Sequence, residues 1–240
     1  MDIEMAVVIP TLNEEGAIES CLDSVGKENG VVIVVADGGS SDATRDLAAR
    51  WGARVVHGQR GRGQQLTHGA AAVEAVEAVE AVEAAKYLFL HADCLLPSGW
   101  REEVCAALEE PSTALVCFRL HTEPGGEGRR SGLYRMWLRV LDIGARGLRA
   151  PYGDQGLAVR REVFERVGGF PAIPLMEDVA FSMACRRVGR IRRLPLEMRT
   201  TARRFEQTPL KTGLMYSTFP TLFRLGVSPH TLARWYGDAE

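Results

Sequence analysis

Short apolar runs alternate with longer helical patterns in the first part of the sequence, and this alternation limits the fold more than any other feature. The apolar runs are residues 5–9 (MAVVI), 31–36 (VVIVVA), 54–57 (RVVH) and 87–91 (YLFLH). The helical patterns between them are residues 14–25, 42–51 and 64–85. Runs of this kind are typical of parallel strands that helices cover on both faces. The pattern therefore predicts βαβ units and a doubly wound α/β sheet.

The second part of the sequence is less regular. Residues 115–120 and 157–160 read as strands, and residues 161–167 and 178–188 as helices. Residues 210–235 are apolar and basic, and Pro220 and Pro229 are expected to interrupt any helix there. We expect this tail to pack on its own domain or to form a homodimer face, with peripheral contact to a membrane as the alternative.

Composition excludes several classes of protein. With 46% hydrophobic and 25% charged residues, the chain has the composition of an ordinary globular protein. The net charge of −2 provides no overall field for binding nucleic acid. The five cysteines form no CxxC pair, which argues against a zinc site and a disulfide framework. Without a leader pattern or an apolar stretch of about 20 residues, we expect a cytoplasmic protein, with the inner face of the membrane as the alternative location.

Polar motifs follow three of the predicted strands. They are residues 10–15 (PTLNEE), 37–42 (DGGSSD) and 91–93 (HAD). Each has a local explanation, since Thr11 and Glu14 have the spacing of a capping box and a glycine-rich segment can be an ordinary turn. Ligands of doubly wound sheets, however, bind beyond the carboxyl ends of the strands. Together the motifs predict a ligand site, and a carboxylate there is a suitable ligand for Mg²⁺ or Mn²⁺.

In this order, the three motifs resemble those of glycosyltransferase family 2, the GT-A type, and the chain looks closest to a small bacterial branch of unassigned acceptor. The resemblance continues through residues 153–156 (GDQG), 168–171 (GGFP), 176–178 (MED) and 203–205 (RRF). It implies a Rossmann-like, mixed and mostly parallel sheet flanked by helices. It also implies one glycosyltransferase domain over residues 1–240, with a nucleotide-binding half (about 1–95), an acceptor half (about 96–205) and a C-terminal helical tail (about 206–240).

The resemblance also implies a donor site for a nucleotide-diphosphate sugar built on UDP or GDP. In that reading Asp37 would bind the base and Arg62 would contact the base or the phosphates. The side chains that would line the nucleotide pocket or hold the diphosphate are Pro10, Thr11, Glu15, Asp93 and Arg204. Asp93 would be the ligand of Mn²⁺ or Mg²⁺. Because His91 stands at the first position of the family's Asp-x-Asp motif, metal binding would depend on Asp93 and the diphosphate oxygens.

The implied catalytic residues are carboxylates of the second half. Asp178, in the Glu177-Asp178 pair, resembles the family's general base, and Asp154 is the rival candidate. A single base opposite the leaving group implies inversion at the anomeric carbon. The Gln-x-x-Arg-Trp signature of processive synthases is absent from the sequence, which favours transfer of one sugar per encounter.

Two other functions remain open at this stage. A nucleotidyltransferase acting on sugar phosphates would normally have a glycine-rich loop and a basic residue after the first strand, where this chain has Asn13, Glu14 and Glu15. A non-catalytic nucleotide-sugar-binding module would bind the donor without turnover. The acceptor is unknown: a lipid-linked phosphate fits the arginine-rich middle and the apolar tail, and a small soluble metabolite fits the small size of the chain.

Overall fold

The computed structural model describes residues 4–27, 29–80, 84–124, 132–146, 150–203, 205 and 208–237. The strands are β1 (Met5–Thr11), β2 (Val31–Asp37), β3 (Arg54–His57), β4 (Lys86–Phe89), β5 (Cys94–Leu95), β6 (Thr113–Glu123), β7 (Leu157–Arg160) and β8 (Arg190–Thr201). The helices are α1 (Ile18–Val25), α2 (Thr44–Trp51), α3 (Arg62–Glu80), α4 (Trp100–Glu109), α5 (Gly132–Arg146), α6 (Arg161–Val167), α7 (Glu177–Val188), α8 (Pro209–Arg224) and α9 (Pro229–Tyr236). A 3₁₀ turn spans Gly153–Gln155.

The strands form one mixed sheet in the order β3-β2-β1-β4-β7-β6-β8-β5. Strands β1 to β4 pair in parallel, and β6 pairs in parallel with β8. Strand β7 runs antiparallel to both of its neighbours, β4 and β6, and β5 runs antiparallel to β8. The predicted α/β fold with a mixed sheet, flanking helices and a helical C-terminal tail is confirmed.

Helices cover β1 on both faces, which explains why its sequence is continuously apolar. Met5, Val7 and Ile9 pack on the side of α1 and α4, whereas Ala6 and Val8 pack on the side of α3 and α7. All five side chains are fully withdrawn from water. Successive side chains of a strand point to opposite faces, so a strand buried on both sides cannot alternate apolar and polar residues.

Two local expectations were wrong. Thr11 is the last residue of β1 and α1 begins only at Ile18, after Ala17, so Thr11 and Glu14 form no capping box. Pro220 lies inside α8, whereas Pro229 is the first residue of α9. A proline within a helix has no N–H for the carbonyl four residues earlier. That carbonyl belongs to Tyr216, and it accepts a hydrogen bond from the hydroxyl of Tyr152 instead.

The helical tail packs on the rest of the chain. Phe219, Pro220 and Leu232 are buried, and Tyr216 packs against clusters that contain Tyr152 and Leu138. Within the described residues, none of the helices combines the length and the apolar character needed to cross a bilayer. The exposed large apolar side chains of the tail are Leu210, Leu214, Leu225 and Trp235. The expected contact of this surface with a membrane or a second copy stays a prediction.

Replacement of Gly69 by alanine tests the packing of α3 on the sheet. A Cβ at Gly69 would lie 2.4 Å from Cγ1 of Val8 and 3.2 Å from Cβ of Ala36. Overpacking of this kind costs about 1–3 kcal/mol, so we expect Gly69→Ala to lower the free energy of unfolding in urea by that amount. The matched control is Gly144→Ala in α5, where a Cβ would meet nothing within 4 Å. This control should raise stability slightly, and equal stability of the two variants would contradict the described packing.

Candidate functional site

The site lies where β1, β2 and β4 end, as the topology of parallel strands predicts. Thr11 and Asp37 are paired residues at the ends of β1 and β2. Asp93 follows β4, and Asp154 belongs to the 3₁₀ turn before β7. Glu177 and Asp178 begin α7.

The Asp37 carboxylate is the centre of the loop that follows β2. It is fully buried, and it accepts hydrogen bonds from the backbone N–H groups of Gly39 and Ser40, at 3.0 and 2.9 Å. The hydroxyls of Thr11 and Ser40 donate to its other oxygen. Burial alone would raise the pKa of Asp37, but the hydrogen bonds, led by those from Ser40, hold it below its ordinary value. The geometry thus makes Asp37 an organiser of the loop, and its predicted contact with a nucleotide base stays a prediction.

Hydrogen bonds tie the loop after β1 to the loop after β2. The side-chain oxygen of Asn13 accepts from the N–H of Ser41 at 2.9 Å, and the carboxylate of Glu15 accepts from the N–H of Ala43 at 3.0 Å. Asn13 adopts a positive φ of 54°, a conformation that asparagine tolerates better than most residues. Pro10 is buried within β1. The motif around Glu15 therefore has an architectural task in addition to its expected place beside the nucleotide.

Gln65 is a site residue that the sequence analysis missed. Its amide nitrogen donates to the carbonyl oxygens of Thr11 and Ala36, both at 2.8 Å, and so joins the ends of β1 and β2 to α3. A Cβ at Gly38 would lie 3.0 Å from the Gln65 amide, so the close approach favours glycine there. A lone glutamine in a helix carries no motif, and only the tertiary contacts identify it.

Asp93 is half-buried between β4 and β5. Among the residues that the structure describes, no three His, Cys, Asp or Glu side chains are grouped so as to hold a metal ion. Mg²⁺ is usually bound by one or two carboxylates together with substrate phosphates and water. One carboxylate at Asp93 fits an ion that is shared with a diphosphate, and it does not fit a complete protein cage.

His91, Asp154 and Tyr216 form a connected chain of side chains. Nδ1 of His91 lies 2.8 Å from one oxygen of Asp154, and the hydroxyl of Tyr216 donates to the other oxygen. Nε2 of His91 is buried and has no hydrogen-bond partner among the described residues. A Cβ at Gly153 would lie 2.4 Å from this nitrogen, so the turn passes too close for any side chain. Tyr216 lies in the tail and belongs to no motif, which is why sequence analysis missed it.

Asp178 is buried at the start of α7 and lines a pocket. Its carboxylate accepts hydrogen bonds from the N–H groups of Gly153 and Val179, at 2.7 and 2.6 Å. Burial, and then the neighbouring Glu177, raise the pKa of Asp178 to about 6, although the Gly153 N–H and Arg62 act in the opposite direction. A carboxylate with this pKa is largely ionised at neutral pH and still basic enough to accept a proton.

Arg62 and Glu177 form an ion pair beside Asp178. The distance from Nη1 of Arg62 to Oε1 of Glu177 is 3.3 Å, and the Glu177 side chain is only 3% exposed. Burial would lower the pKa of Arg62, but the surrounding carboxylates of Glu177, Asp178 and Asp154 keep it above its ordinary value. Arg62 is therefore a fixed cation at the mouth of the site.

The pocket next to Asp178 is partly open to solvent. Its charged lining residues are Arg62, Asp154 and Asp178, and most of the others are apolar or aromatic. Outside this lining, Nη2 of Arg203 pairs with the carboxylate of Glu14 at 2.9 Å. Arg204, the predicted partner of a leaving diphosphate, lies outside the described residues.

Comparisons with known proteins agree with this geometry. The family model described as "Glycosyl transferase family 2" matches residues 6–168. Sequence comparison with curated proteins gives no match.

Several solved structures have a similar fold. A mannosyltransferase, PcManGT from Pyrobaculum calidifontis, in complex with GDP-Man and Mn²⁺, has a TM-score of 0.61 and 20% identity over 99% of this chain and 71% of its own. S. aureus TarS 1–349 has a TM-score of 0.59 and 16% identity over 95% of this chain and 68% of its own. Glucosyl-3-phosphoglycerate synthase from Mycobacterium tuberculosis, in complex with Mn²⁺, UDP and glucosyl-3-phosphoglycerate, has a TM-score of 0.55 and 22% identity over 93% of this chain and 80% of its own. At these identities the likeness establishes the fold.

Replacement of Asp37 by asparagine tests the loop-organising role. The amide would turn one acceptor into a donor facing other donors, so we expect Asp37→Asn to lower the free energy of unfolding at pH 7 by about 1–3 kcal/mol. The lowered pKa of Asp37 means that its ionised form stabilises the fold above the unfolded pKa and loses this effect as the pH falls through the folded value. The difference from the native chain should therefore shrink below about pH 4. Asp46→Asn, at an exposed position in α2, is the control, and a constant difference at all pH values would contradict the role.

Proposed function

Because the chain belongs to glycosyl transferase family 2, we propose that it is an inverting, non-processive glycosyltransferase that is assisted by a divalent metal. It moves one sugar from a nucleotide-diphosphate sugar to the hydroxyl of an acceptor. The observation that carries this proposal is the Asp178 carboxylate, which is buried, has a pKa raised to about 6 and borders a pocket that is partly open to solvent.

The donor site of this proposal is formed by the loops after β1 and β2, with Asp93 and Arg62 towards the phosphates. PcManGT binds GDP-Man and TarS binds UDP-GlcNAc, and these complexes support a UDP or GDP sugar as donor here. Pro10 and Thr11 end β1, Asp37 ends β2 and Glu15 lies in the loop after β1. Hydrogen bonds hold these two strand ends and their loops together, which supports the assignment of the four residues to one nucleotide site. Arg204 remains proposed from the motif alone.

Asp93 would hold Mn²⁺ or Mg²⁺ together with oxygens of the diphosphate. Such an ion neutralises the negative charge that grows on the departing diphosphate. The complexes of PcManGT and of the mycobacterial synthase contain Mn²⁺, which supports a divalent ion without choosing between the two. Arg62, whose guanidinium stays protonated beside Glu177, Asp178 and Asp154, would contact the phosphates of the donor.

Asp178 is the proposed general base, and Asp154 is proposed as a positioning residue. Both oxygens of Asp154 already receive hydrogen bonds from side chains, His91 on one side and Tyr216 on the other. The partners of Asp178 are backbone N–H groups, and its side chain borders the pocket in which an acceptor would lie. Glu177 assists by raising the pKa of Asp178. One base facing the donor implies a single displacement, and therefore inversion at the anomeric carbon.

The tail helices support transfer of one sugar per encounter, because α8 and α9 close one side of the pocket. A cytoplasmic location and membrane or homodimer contact through the tail remain proposals, and sedimentation with anionic vesicles is the direct measurement for membrane contact. A nucleotidyltransferase gains no support, since acidic Glu14 and Glu15 follow β1. A binding module without turnover is separated from an enzyme by the first of the two experiments below.

Asp178→Asn tests the base. The amide is isosteric and cannot accept the proton, so we expect kcat to fall by about 10²- to 10⁴-fold while donor binding is unchanged. In the native chain, kcat/KM should decline as the pH falls through about 6, because Asp178 becomes protonated. Steady-state kinetics of nucleotide release and calorimetry of the nucleotide provide the two readouts. Asp154→Asn is the comparison variant, and normal turnover by Asp178→Asn would transfer the role to Asp154.

Asp93→Ala tests the metal. Because one carboxylate is a weak site by itself, Mn²⁺ alone should leave the melting temperature unchanged, whereas Mn²⁺ with UDP or GDP should raise it. Asp93→Ala should lose the metal-dependent part of this rise. Glu102→Ala, at an exposed position of α4, should retain it. A rise of equal size in Asp93→Ala would remove Asp93 from the metal site.

A further inference from the structure

The wall of the pocket beside Asp178 comes mostly from residues beyond the segment that the family model matches. That segment ends at residue 168, whereas Met215, Tyr216, Phe219 and Pro220 of α8 and Tyr236 of α9 all line the pocket. The motifs after β1, β2 and β4 lie within the matched segment. Most of the pocket wall on the proposed acceptor side therefore comes from residues outside that segment.

Two tyrosines of the pocket use their hydroxyls within the protein. Tyr152 donates to the carbonyl oxygen of Tyr216 at 3.0 Å, and Tyr216 donates to the carboxylate of Asp154. Their rings meet edge to face with centroids 5.5 Å apart. Because their hydroxyls are already used, the two tyrosines contribute mainly the apolar surface of their rings to the pocket wall. Met215 and Phe219 extend this apolar surface.

The charges of the lining do not suit an anionic acceptor. Arg62 is the cation among the described residues that line the pocket, and Glu177 compensates its charge at 3.3 Å. Asp154 and Asp178 add negative charge to the same space. A phosphate or carboxylate group placed here would face carboxylates without an uncompensated cation from the lining residues that the structure describes, and like charges held close together are unfavourable.

We infer that the acceptor is a small, uncharged alcohol with an apolar or aromatic body. This inference rests on the proposed function and names the acceptor class for the same site. In the transfer, the acceptor oxygen forms a bond to the anomeric carbon and its proton passes to Asp178. The bond from the anomeric carbon to the phosphate oxygen breaks, and its electron pair leaves with the nucleoside diphosphate.

Three alcohols that share a 1,2-diol and differ in their third substituent test the acceptor class. They are 3-phenoxy-1,2-propanediol, glycerol and glycerol 3-phosphate, each assayed with the donor that binds. We expect kcat/KM for the phenoxy compound to exceed that for glycerol 3-phosphate by at least about tenfold, the discrimination that one well-matched apolar group provides. Equal or better use of glycerol 3-phosphate overturns the inference.

The outcomes separate this inference from the proposed function. Nucleotide binding and slow donor hydrolysis without transfer to any of the three alcohols would overturn the acceptor class and leave the donor site in place. Absence of both nucleotide binding and donor hydrolysis would overturn the proposed function, and the inference with it.

A charge placed in the pocket wall provides the second test. Met215 is half-buried in the lining, whereas its neighbour Leu214 is 65% exposed and outside the lining. We expect Met215→Lys to shift the ratio of kcat/KM towards glycerol 3-phosphate by at least about tenfold, because it adds a cation to a lining in which Asp154 and Asp178 otherwise leave an excess of negative charge. Leu214→Lys makes the same charge change and should leave the ratio unaltered. Equal ratios in both variants and the native chain, with unchanged melting temperatures, would contradict the proposed position of the acceptor.

Discussion

Every side chain from Met5 to Ile9 is withdrawn from water, because β1 lies between β2 and β4 and helices cover both of its faces. A shift of its register by one residue would turn every side chain of β1 to the opposite face and disrupt the packing on both sides. The register between β1 and β2 places Thr11 next to Asp37, so the loops that follow these two strands leave the sheet at the same edge. Around that edge lie the loops after β1 and β2, the Gln65 contacts and the turn that contains Asp154.

Buried carboxylates within this edge differ because their surroundings differ. Asp37 receives hydrogen bonds from backbone and hydroxyl donors, which keep it ionised and make it a structural centre. Asp178 is also buried, and this burial together with the second negative charge of Glu177 raises its pKa, so it binds a proton more readily. The hydrogen-bond donors and the neighbouring charges around each carboxylate therefore decide whether its pKa is lowered or raised.

The C-terminal tail completes the site. Pro220 frees the Tyr216 carbonyl for the hydroxyl of Tyr152, and Tyr216 in turn holds Asp154, which holds His91. A proline that resembles a helix breaker in the sequence therefore connects α8 to the side of the sheet on which Asp154 and His91 lie. The same helices provide the apolar wall on which the acceptor inference depends.

The sequence by itself determined the βαβ alternation of residues 5–91, the positions of the polar motifs after the strands and the family. Those features are local in the chain, because burial on both faces and tight turns leave direct marks in residue type. It did not reveal β8, whose polar and apolar residues are mixed, or the two-residue β5. Only the tertiary structure decided that Gln65 joins β1 to β2, that Tyr216 reaches Asp154 and that the tail closes the pocket. These contacts join residues 54 and 62 positions apart, and packing between distant segments leaves no periodic signal in sequence.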